Sequence, residues 1–233
     1  MRYKKVIPAQ LVRRENRFIA TVTVDGAEET VHVKNTGRCR ELLIPGCRVY
    51  LSLGDNPARK TKYDLVAVEK RREDGSRLLI NMDSAAPNAA VGEWLAGGLF
   101  SRNAAVRPEC KFGNSRFDFF VEDGERRAFV EVKGVTLESG GVAAFPDAPT
   151  ERGVKHLCEL KSALMEGYEA YALFVIQMKG MTLFRPNEAT HKAFADALRA
   201  CSVAGVRVIA MDCIVEPDSM VIDSPVAVDL AER

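Results

Sequence analysis

The sequence predicts a two-domain protein, with a small β-barrel in residues 1–82 and an α/β sandwich with a mixed sheet in residues 83–233. Three observations support this fold class. Short segments of β-type composition fill residues 6–80, the composition changes at residues 81–88, and strand and helix patterns then alternate. A chain of 233 residues, 47% of them hydrophobic, is long enough to form two modest cores.

The predicted barrel consists of short β segments separated by turn-forming residues. Asp25-Gly26 and Pro45-Gly46 are typical turn pairs, and Gly54 begins a third turn. Several short strands that close on themselves favour a five-stranded barrel of the oligonucleotide-binding type, although an SH3-like barrel fits the same pattern. The clearest segments are residues 17–24, 30–34, 48–53 and 65–70.

The predicted sandwich begins with a helix that Asn88 would cap, and its apolar face would carry Val91, Trp94, Leu95 and Leu99. Alternating and helical apolar patterns then give the order of the remaining elements. These are a hairpin of residues 116–121 and 127–134, a Gly- and Pro-rich loop at 139–150, a helix over 151–166, a buried strand over 171–176, a helix from 187 to Gly205, and a final strand over 206–211.

Charge is distributed unevenly, although the net charge is only +1. Residues 1–80 contain 17 Lys and Arg against 10 Asp and Glu, which suggests a region that meets a polyanion; a solvated basic face is the alternative. The six cysteines include no C-x-x-C spacing, so we expect reduced thiols and no structural zinc site. No apolar run fits a membrane span or a signal peptide, so we expect a soluble cytoplasmic protein.

The hairpin carries the residues that point to chemistry. Strand alternation places Glu131 and Lys133 on one face of the second strand and Asp118 on one face of the first. A two-residue loop at 123–124 would pair Asp118 with Phe129, whereas a four-residue loop at 123–126 would pair it with Glu131. Either register leaves the three charged side chains on the same face. The opposite face of the first strand would carry Phe117, Phe119 and Val121.

Two carboxylates this close repel each other unless a cation lies between them. Mg²⁺ or Mn²⁺ would be bound by Asp118, Glu131 and the backbone carbonyl of Val132, with waters completing its coordination. Such an ion polarises a phosphate oxygen and lowers the pKa of a bound water. Lys133 would orient that water or offset negative charge at the phosphorus. The alternative is a solvated strand face with an ordinary ion pair.

Four stretches of the chain resemble the sugar fermentation stimulation protein A family. They are VKNTGRCRELLIPG (33–46), KFGNSRFDF (111–119), VEVKGVTL (130–137) and FPDAPTERGVKHLCEL (145–160), and together they span both predicted domains. The resemblance implies an oligonucleotide-binding (OB) barrel followed by a domain similar to the PD-(D/E)xK nucleases. It also implies DNA binding and an association with the regulation of sugar catabolism.

In the nuclease superfamily, the Asp of the first motif corresponds to Asp118, and the E-x-K motif corresponds to Glu131 and Lys133. The resemblance also implies a further carboxylate at Glu109 and a further active-site position at Gln177. Phe117 stands where the name of the superfamily has a proline, a position that carries no ligand.

Basic and polar residues in three places are expected to contact nucleic acid. Arginine forks and backbone N–H groups bind phosphate well, and a helix N-terminus can receive one. The residues are Asn35, Thr36, Arg38 and Arg40 in one turn; Arg107, Lys111 and Arg116 before Asp118; and Arg152 and Lys155 at the start of a helix. Solvated arginines are the alternative for the first group, and structural pairing with Glu109 and Asp118 is the alternative for the second. The neighbouring His156 is expected to be a surface or packed histidine and not a catalyst.

These observations predict a DNA-binding protein with a metal-dependent, phosphodiester-hydrolysing site. A non-catalytic DNA-binding regulator with the same fold is one alternative, and an enzyme that acts on a different phosphodiester is another. Aromatic residues are sparse in residues 1–80, so the sequence does not choose between single-stranded and double-stranded DNA.

Overall fold

The computed structural model describes residues 1–35, 37–54 and 58–232. Its first six strands form the barrel: β1 (Val6–Arg14), β2 (Ile19–Val24), β3 (Ala27–Val33), β4 (Arg48–Leu53), β5 (Tyr63–Arg71) and β6 (Arg77–Asn81). The sheet runs β3-β2-β1-β4-β5-β6, and a parallel pairing of β3 with β5 closes five of the strands into a barrel. β6 continues the sheet beyond β5. The predicted five-stranded barrel is therefore confirmed.

Local sequence explains why the barrel strands form where they do. Apolar side chains point inward and are almost fully buried, among them Leu11, Val22 and Leu51. β1 contains Pro8, which has no N–H for a strand ladder. Pro8 is tolerated because it lies in the half of β1 that pairs only with β4, whereas the pairing with β2 begins at Gln10.

The second domain contains three helices and nine strands within the described ranges. In chain order they are α1 (Ala86–Trp94), β7 (Ala105–Phe112), β8 (Ser115–Asp123), β9 (Arg126–Val135), β10 (Leu137–Ser139), β11 (Val142–Phe145), α2 (Glu151–Met165), β12 (Glu169–Ile176), β13 (Leu183–Pro186), α3 (Glu188–Ala204), β14 (Arg207–Glu216) and β15 (Ser219–Val228). The sheet order is β10-β11-β13-β15-β14-β12-β9-β8-β7. Parallel and antiparallel pairings both occur along it, which confirms the predicted mixed sheet.

Helices cover both faces of this sheet. On one face α2 and α3 contribute buried residues such as Leu160 and Phe194, and on the other face α1 contributes Val91. The predicted start of α2 and the predicted end of α3 agree with the structure. α2 begins at Glu151 after the capping residue Thr150, and Gly205 ends α3 with a φ of 109°. The buried strand predicted over residues 171–176 lies in β12, at the centre of the domain.

Three sequence predictions about elements are wrong. α1 begins at Ala86 with Pro87 in its first turn, so Asn88 lies inside the helix and does not cap it. The predicted loop at 139–150 contains β11, which was missed because four residues are too few to show a period. The strand predicted over 206–211 continues to Glu216 and returns as β15, whose alternation is interrupted by Pro225.

The two domains are joined over a shared core. Buried residues of the barrel and of the α2–α3 side of the sheet belong to one continuous hydrophobic cluster. The first three residues also cross to the second domain, where the Tyr3 N–H donates to the Asp218 carbonyl at 2.7 Å and Met1 accepts from the Met220 N–H at 3.1 Å. Across the described residues, the helices are too short or too polar to span a bilayer.

Candidate active site

The β8–β9 hairpin places Asp118 across from Glu131. Phe120 pairs with Phe129 and Asp123 with Arg126, and the same register continued along the strands sets Asp118 opposite Glu131. Of the two registers that the sequence allowed, the second is therefore correct. Pairing extends further into the predicted loop, so that only residues 124–125 form the turn, and Gly124 has a φ of 64° there.

Asp118 lies where the two strands separate. The strand pairs end at Phe119 and Val130, and beyond them the Asp118 carboxylate replaces the missing backbone acceptor. Its Oδ2 accepts the Val132 N–H at 2.7 Å, and its Oδ1 accepts from Asn88 Nδ2, also at 2.7 Å. The side chain is thus fixed by the strand that carries Glu131 and by α1.

The separation of the strands also changes the predicted faces. Phe117 does not share a face with Phe119 and Val121, as strict alternation predicted. Its ring instead packs 5.1 Å from that of Phe129, on the α2 side of the sheet. Alternation fails at Asp118 because the strand leaves its ladder at that residue.

The prediction that Asp118 and Glu131 share one face is therefore wrong. Asp118 bonds to Asn88 of α1, whereas Glu131 bonds to His156 of α2 on the other side of the sheet.

Glu131 is buried and holds the centre of a chain of polar contacts. Its Oε1 accepts from Lys133 Nζ and from His156 Nδ1, which α2 brings to the site. Arg152 Nε donates to His156 Nε2 at 3.3 Å. Because arginine can only donate, Nε2 must accept and Nδ1 must carry the ring proton that is donated to Glu131.

The two carboxylates have opposite electrostatic environments. Burial raises the pKa of Asp118, and the nearby charge of Glu131 raises it further, although the Val132 N–H and Lys133 offset part of the shift. Burial would also raise the pKa of Glu131, but the His156 hydrogen bond and the Lys133 ammonium outweigh it and lower that pKa. Glu131 is therefore the carboxylate that these surroundings favour as an anion.

The donor set suits a hard divalent cation. Glu131 Oε2 is buried and has no hydrogen-bond partner within the described ranges, and an anionic oxygen in that state favours a positive partner. Asp118 supplies a second carboxylate. The described residues contain no group of three or more His, Cys, Asp or Glu side chains that could hold a metal. A cation here would therefore also need backbone oxygen and water, as Mg²⁺ commonly does.

Two residues predicted to be catalytic make their contacts elsewhere. Glu109 lies across from Asp118 in the β7–β8 register, but its exposed carboxylate pairs with Arg116 at 3.7 Å. Gln177 is buried, and its Nε2 donates at 3.1 Å to the Asn81 and Asp83 carbonyls. It thereby ties the end of β12 to the segment that joins the two domains.

Several residues predicted to bind nucleic acid are engaged in protein contacts. Arg107 pairs with Glu122 at 2.6 Å, and Lys155 donates to the Asn114 carbonyl at 3.1 Å. Arg152 contacts His156, as described above, while Lys111 is exposed on the edge strand β7. Arg116 pairs with Glu109, which is the structural pairing that the sequence left open as an alternative.

The predicted phosphate-binding turn lies on the barrel. Asn35 Oδ1 accepts the Gly37 N–H at 2.8 Å, and Arg38 and Arg40 are exposed beside it. Thr36, which was predicted to belong to the same site, lies outside the described residues.

Sequence reasoning missed two site residues. Asn88 was interpreted as a helix cap, and nothing in a single sequence relates it to Asp118. His156 was set aside, although the helical spacing that buries Leu160 and Ala163 also places His156 on the inward face of α2. A histidine on a buried helix face that packs against a charged strand was the available signal.

Comparisons with known proteins agree with this architecture. One family model, "SfsA N-terminal OB domain", matches residues 12–79, and another, "Sugar fermentation stimulation protein RE domain", matches residues 85–219. The first match identifies the barrel as the oligonucleotide-binding type and not the SH3-like one.

Relatives match over nearly the whole chain. Sugar fermentation stimulation protein homologs from Desulfitobacterium hafniense and Clostridium beijerinckii are 55% identical over 232 residues and 52% identical over 221 residues, respectively. The alignments cover 100% of both chains for the first, and 94% of this chain and 96% of the relative for the second. The solved structure of Pyrococcus furiosus SfsA in complex with Ca²⁺ superimposes with a TM-score of 0.86 and 25% identity over 98% of each chain. This chain therefore belongs to the sugar fermentation stimulation protein (SfsA) family.

Proposed function

We propose that this protein binds DNA and hydrolyses its phosphodiester bonds with a divalent cation held between Asp118 and Glu131. One observation carries the proposal: the buried Glu131 Oε2 lacks a hydrogen-bond partner within the described ranges and lies near a second, half-buried carboxylate, that of Asp118. An anionic oxygen in the protein interior is costly unless it is paired. A hard cation would supply that partner, and would also relieve the repulsion that raises the pKa of Asp118.

The proposed ligands are Asp118, Glu131 and the backbone carbonyl of Val132, and the proposed ion is Mg²⁺ or Mn²⁺. All three ligands present oxygen, which hard divalent cations prefer. The P. furiosus SfsA structure is a complex with Ca²⁺, another cation with this preference, and this supports a divalent-cation site in the fold. When bound, the ion polarises a phosphate oxygen and lowers the pKa of a coordinated water.

The surrounding residues hold the two carboxylates and the lysine in place. Asn88 fixes Asp118 through Oδ1, and His156 fixes Glu131 through Oε1, which leaves Oε2 available. The Lys133 ammonium, held beside Glu131, can offset the negative charge that develops on the phosphate oxygens. The proposal does not require Glu109 or Gln177.

The test is a calorimetric titration of Mg²⁺ and Mn²⁺, with labelled DNA incubated in parallel with each protein. We expect the wild type to bind the ion and cleave DNA, and Glu131→Gln to lose both activities. Glu122→Gln is the matched control, because it makes the same change at a half-buried carboxylate of the same hairpin. An undiminished metal-dependent cleavage rate in Glu131→Gln would overturn the proposed site.

A DNA-binding protein that does not cleave is the second candidate, and one observation favours it. Glu131 Oε1 is already engaged by Lys133 and His156, and the described part of the chain supplies no third acidic, His or Cys side chain that completes a metal site. The same experiment separates the two functions. Salt-dependent binding of DNA that stays intact, without heat of metal binding, would establish the second.

A further inference from the structure

An arginine-lined cleft opens on the barrel, outside the candidate active site. Its volume is about 540 Å³, and its walls come from the β1–β2 connection and from the segment that follows β3. The lining residues that carry the argument are Arg14, Arg17, Gly37, Arg38, Arg40 and Leu43. Such a concentration of arginine around one cavity favours an anionic ligand.

Arg14 builds the cleft and does not serve as its free charge. Its guanidinium donates to backbone carbonyls at distances of 2.5–3.0 Å. The acceptors come from both walls: Asn16, Arg17, Asn35, Gly37 and Arg38. Because one rigid side chain ties the two walls together, the cleft is preformed, and Arg14 is a positioning residue.

Three other arginines keep their charges available. Arg17, Arg38 and Arg40 are exposed, and their guanidinium groups form no ion pair with any residue that the structure describes. This contrasts with Arg107 and Arg116, which pair with neighbouring carboxylates. Three unneutralised guanidinium groups around one cavity suit a ligand that carries several phosphates.

The residue next to one of these arginines in the sequence carries an exposed aromatic ring. Phe18 follows Arg17 directly and is 52% exposed. Its backbone is nevertheless held, since its N–H donates to Asn16 Oδ1 at 2.8 Å and its carbonyl accepts the Val33 N–H at 2.7 Å. An exposed ring on a fixed backbone is a platform on which a base can stack. Duplex bases already stack on one another, so this platform favours unpaired bases.

The cleft also lies against the domain that carries the candidate active site. A Cβ atom at Gly37 would come within 3.3 Å of Asp147 Cγ, and the Cys39 thiol lies near the Thr136 side chain. Thr136 directly follows β9, and Lys133 lies three residues earlier, about 10 Å along the strand. The cleft therefore lies close to the strand that carries Glu131 and Lys133.

We infer that this cleft binds single-stranded DNA, with Phe18 stacking on a base and Arg17, Arg38 and Arg40 contacting phosphates, and that it delivers the strand to the site of the proposed function, on which the inference rests.

The test measures fluorescence anisotropy in EDTA, with a labelled oligothymidylate and a duplex of equal length as probes. We expect the wild type to prefer the single strand, and Phe18→Leu to weaken single-strand binding by about tenfold with little effect on the duplex. Phe18→Tyr retains an aromatic ring and should bind as the wild type does. The binding constant K for the single strand falls as salt rises, so log K against log salt has a negative slope. Combining Arg38→Gln with Arg40→Gln should make this slope less steep by about 1.4. Arg71→Gln, an exposed barrel arginine outside the cleft, is the matched control.

Cleavage by the wild type in Mg²⁺ separates this inference from the proposed function. If the wild type does not cleave DNA but its single-strand preference depends on Phe18, the assignment of the cleft as a single-strand site holds, and both hydrolysis and delivery to it fail. If the wild type cleaves DNA, yet Phe18→Leu and the double arginine variant bind the single strand as tightly as the wild type, the inference is overturned and hydrolysis holds. Equal affinity for single strand and duplex would also overturn it.

Discussion

At the scale of single residues, two neighbouring carboxylates differ in what they do to stability. Glu131 is held by donors on Oε1, so ionisation is favoured and its pKa is lowered. Asp118 accepts two neutral N–H donors, yet burial and the charge of Glu131 prevail and its pKa is raised. Shifts of this kind are common at functional sites because catalytic geometry places charges where folding alone would not.

These opposite shifts predict opposite effects of neutralising each residue. A raised folded pKa means that ionised Asp118 destabilises the fold as pH rises through that pKa, so Asp118→Asn should be more stable than the wild type at neutral pH. This gain should vanish below the ordinary Asp value of 3.8. Glu131→Gln should be less stable than the wild type at neutral pH. This difference in the free energy of unfolding should shrink as the pH falls below the ordinary Glu pKa of 4.5. Urea unfolding in EDTA across this pH range measures both effects.

The contrary outcome is specific for each residue. An Asp118→Asn protein that is less stable than the wild type at neutral pH would show that its two hydrogen bonds outweigh burial. A Glu131→Gln protein whose deficit grows in acid would show that Glu131 is not stabilised as an anion.

His156 is predicted to stabilise the fold through Glu131. His156→Leu keeps a similar volume but removes the donated Nδ1–H, so a buried carboxylate oxygen loses one partner, at a cost of about 1–3 kcal/mol. His156→Asn can place an amide N–H near the position of Nδ1 and should recover part of that loss. Urea denaturation compares the three proteins. Equal stability of the Leu and Asn variants would show that packing, and not the hydrogen bond, determines the contribution of His156.

At the scale of elements, the site depends on how closely α1 approaches β9. Gly134 follows Lys133 directly, and a Cβ atom there would lie 2.8 Å from Pro87 Cγ and still closer to the Gln177 amide oxygen. Glycine therefore allows α1 to pack against the strand and present Asn88 to Asp118. By contrast, a Cβ atom at Gly92 within α1 would make an ordinary contact of 3.4 Å with Phe119.

Two Gly→Ala substitutions should therefore have effects of opposite sign. Gly134→Ala should destabilise the protein by about 1–3 kcal/mol, because Pro87 and the hydrogen-bonded Gln177 leave no room for the methyl group. Gly92→Ala should stabilise it by roughly 0.5–1 kcal/mol, because alanine is the better helix former and the space is free. Chemical denaturation of both variants tests this. If Gly134→Ala were as stable as the wild type, α1 would have room to shift away from β9.

Sequence patterns predicted the larger elements better than the smaller ones. The helix predicted over 151–166 starts at the predicted residue and ends one residue earlier than predicted. Its capping residue and its apolar spacing indicate the same boundaries. β11 was missed, and so was β15, because short or proline-containing strands that depend on tertiary pairing carry little local pattern. Likewise, the hairpin pattern set Asp118 opposite Glu131 in one of its two possible registers, whereas the contacts of Asn88 and His156 depend on how helices dock, which one sequence does not show.

At the scale of the whole molecule, the barrel and the sandwich share a hydrophobic core, and Gln177 lies at their junction. Its side chain joins β12 to the segment after β6, and the Asn81 N–H also donates to its carbonyl at 2.9 Å. A second junction contact is the ion pair of Lys70 with the buried Glu138, at 2.6 Å. Domains joined over a shared core and buried polar contacts are expected to unfold as one unit.

Cooperative unfolding can be measured because Trp94, the only tryptophan, lies in the second domain. Its fluorescence reports that domain, and far-UV circular dichroism also reports the barrel strands, so the two urea transitions of the wild type should coincide. Gln177→Ala removes the junction contacts of the side-chain amide. The free energy of unfolding should fall by about 1–3 kcal/mol, and by the same amount whether it is measured by fluorescence or by circular dichroism. If the wild-type transitions separated, the shared core would not couple the domains. If Gln177→Ala left stability unchanged but abolished DNA cleavage, Gln177 would be catalytic, as the family resemblance implied, and its contacts at the junction would be incidental.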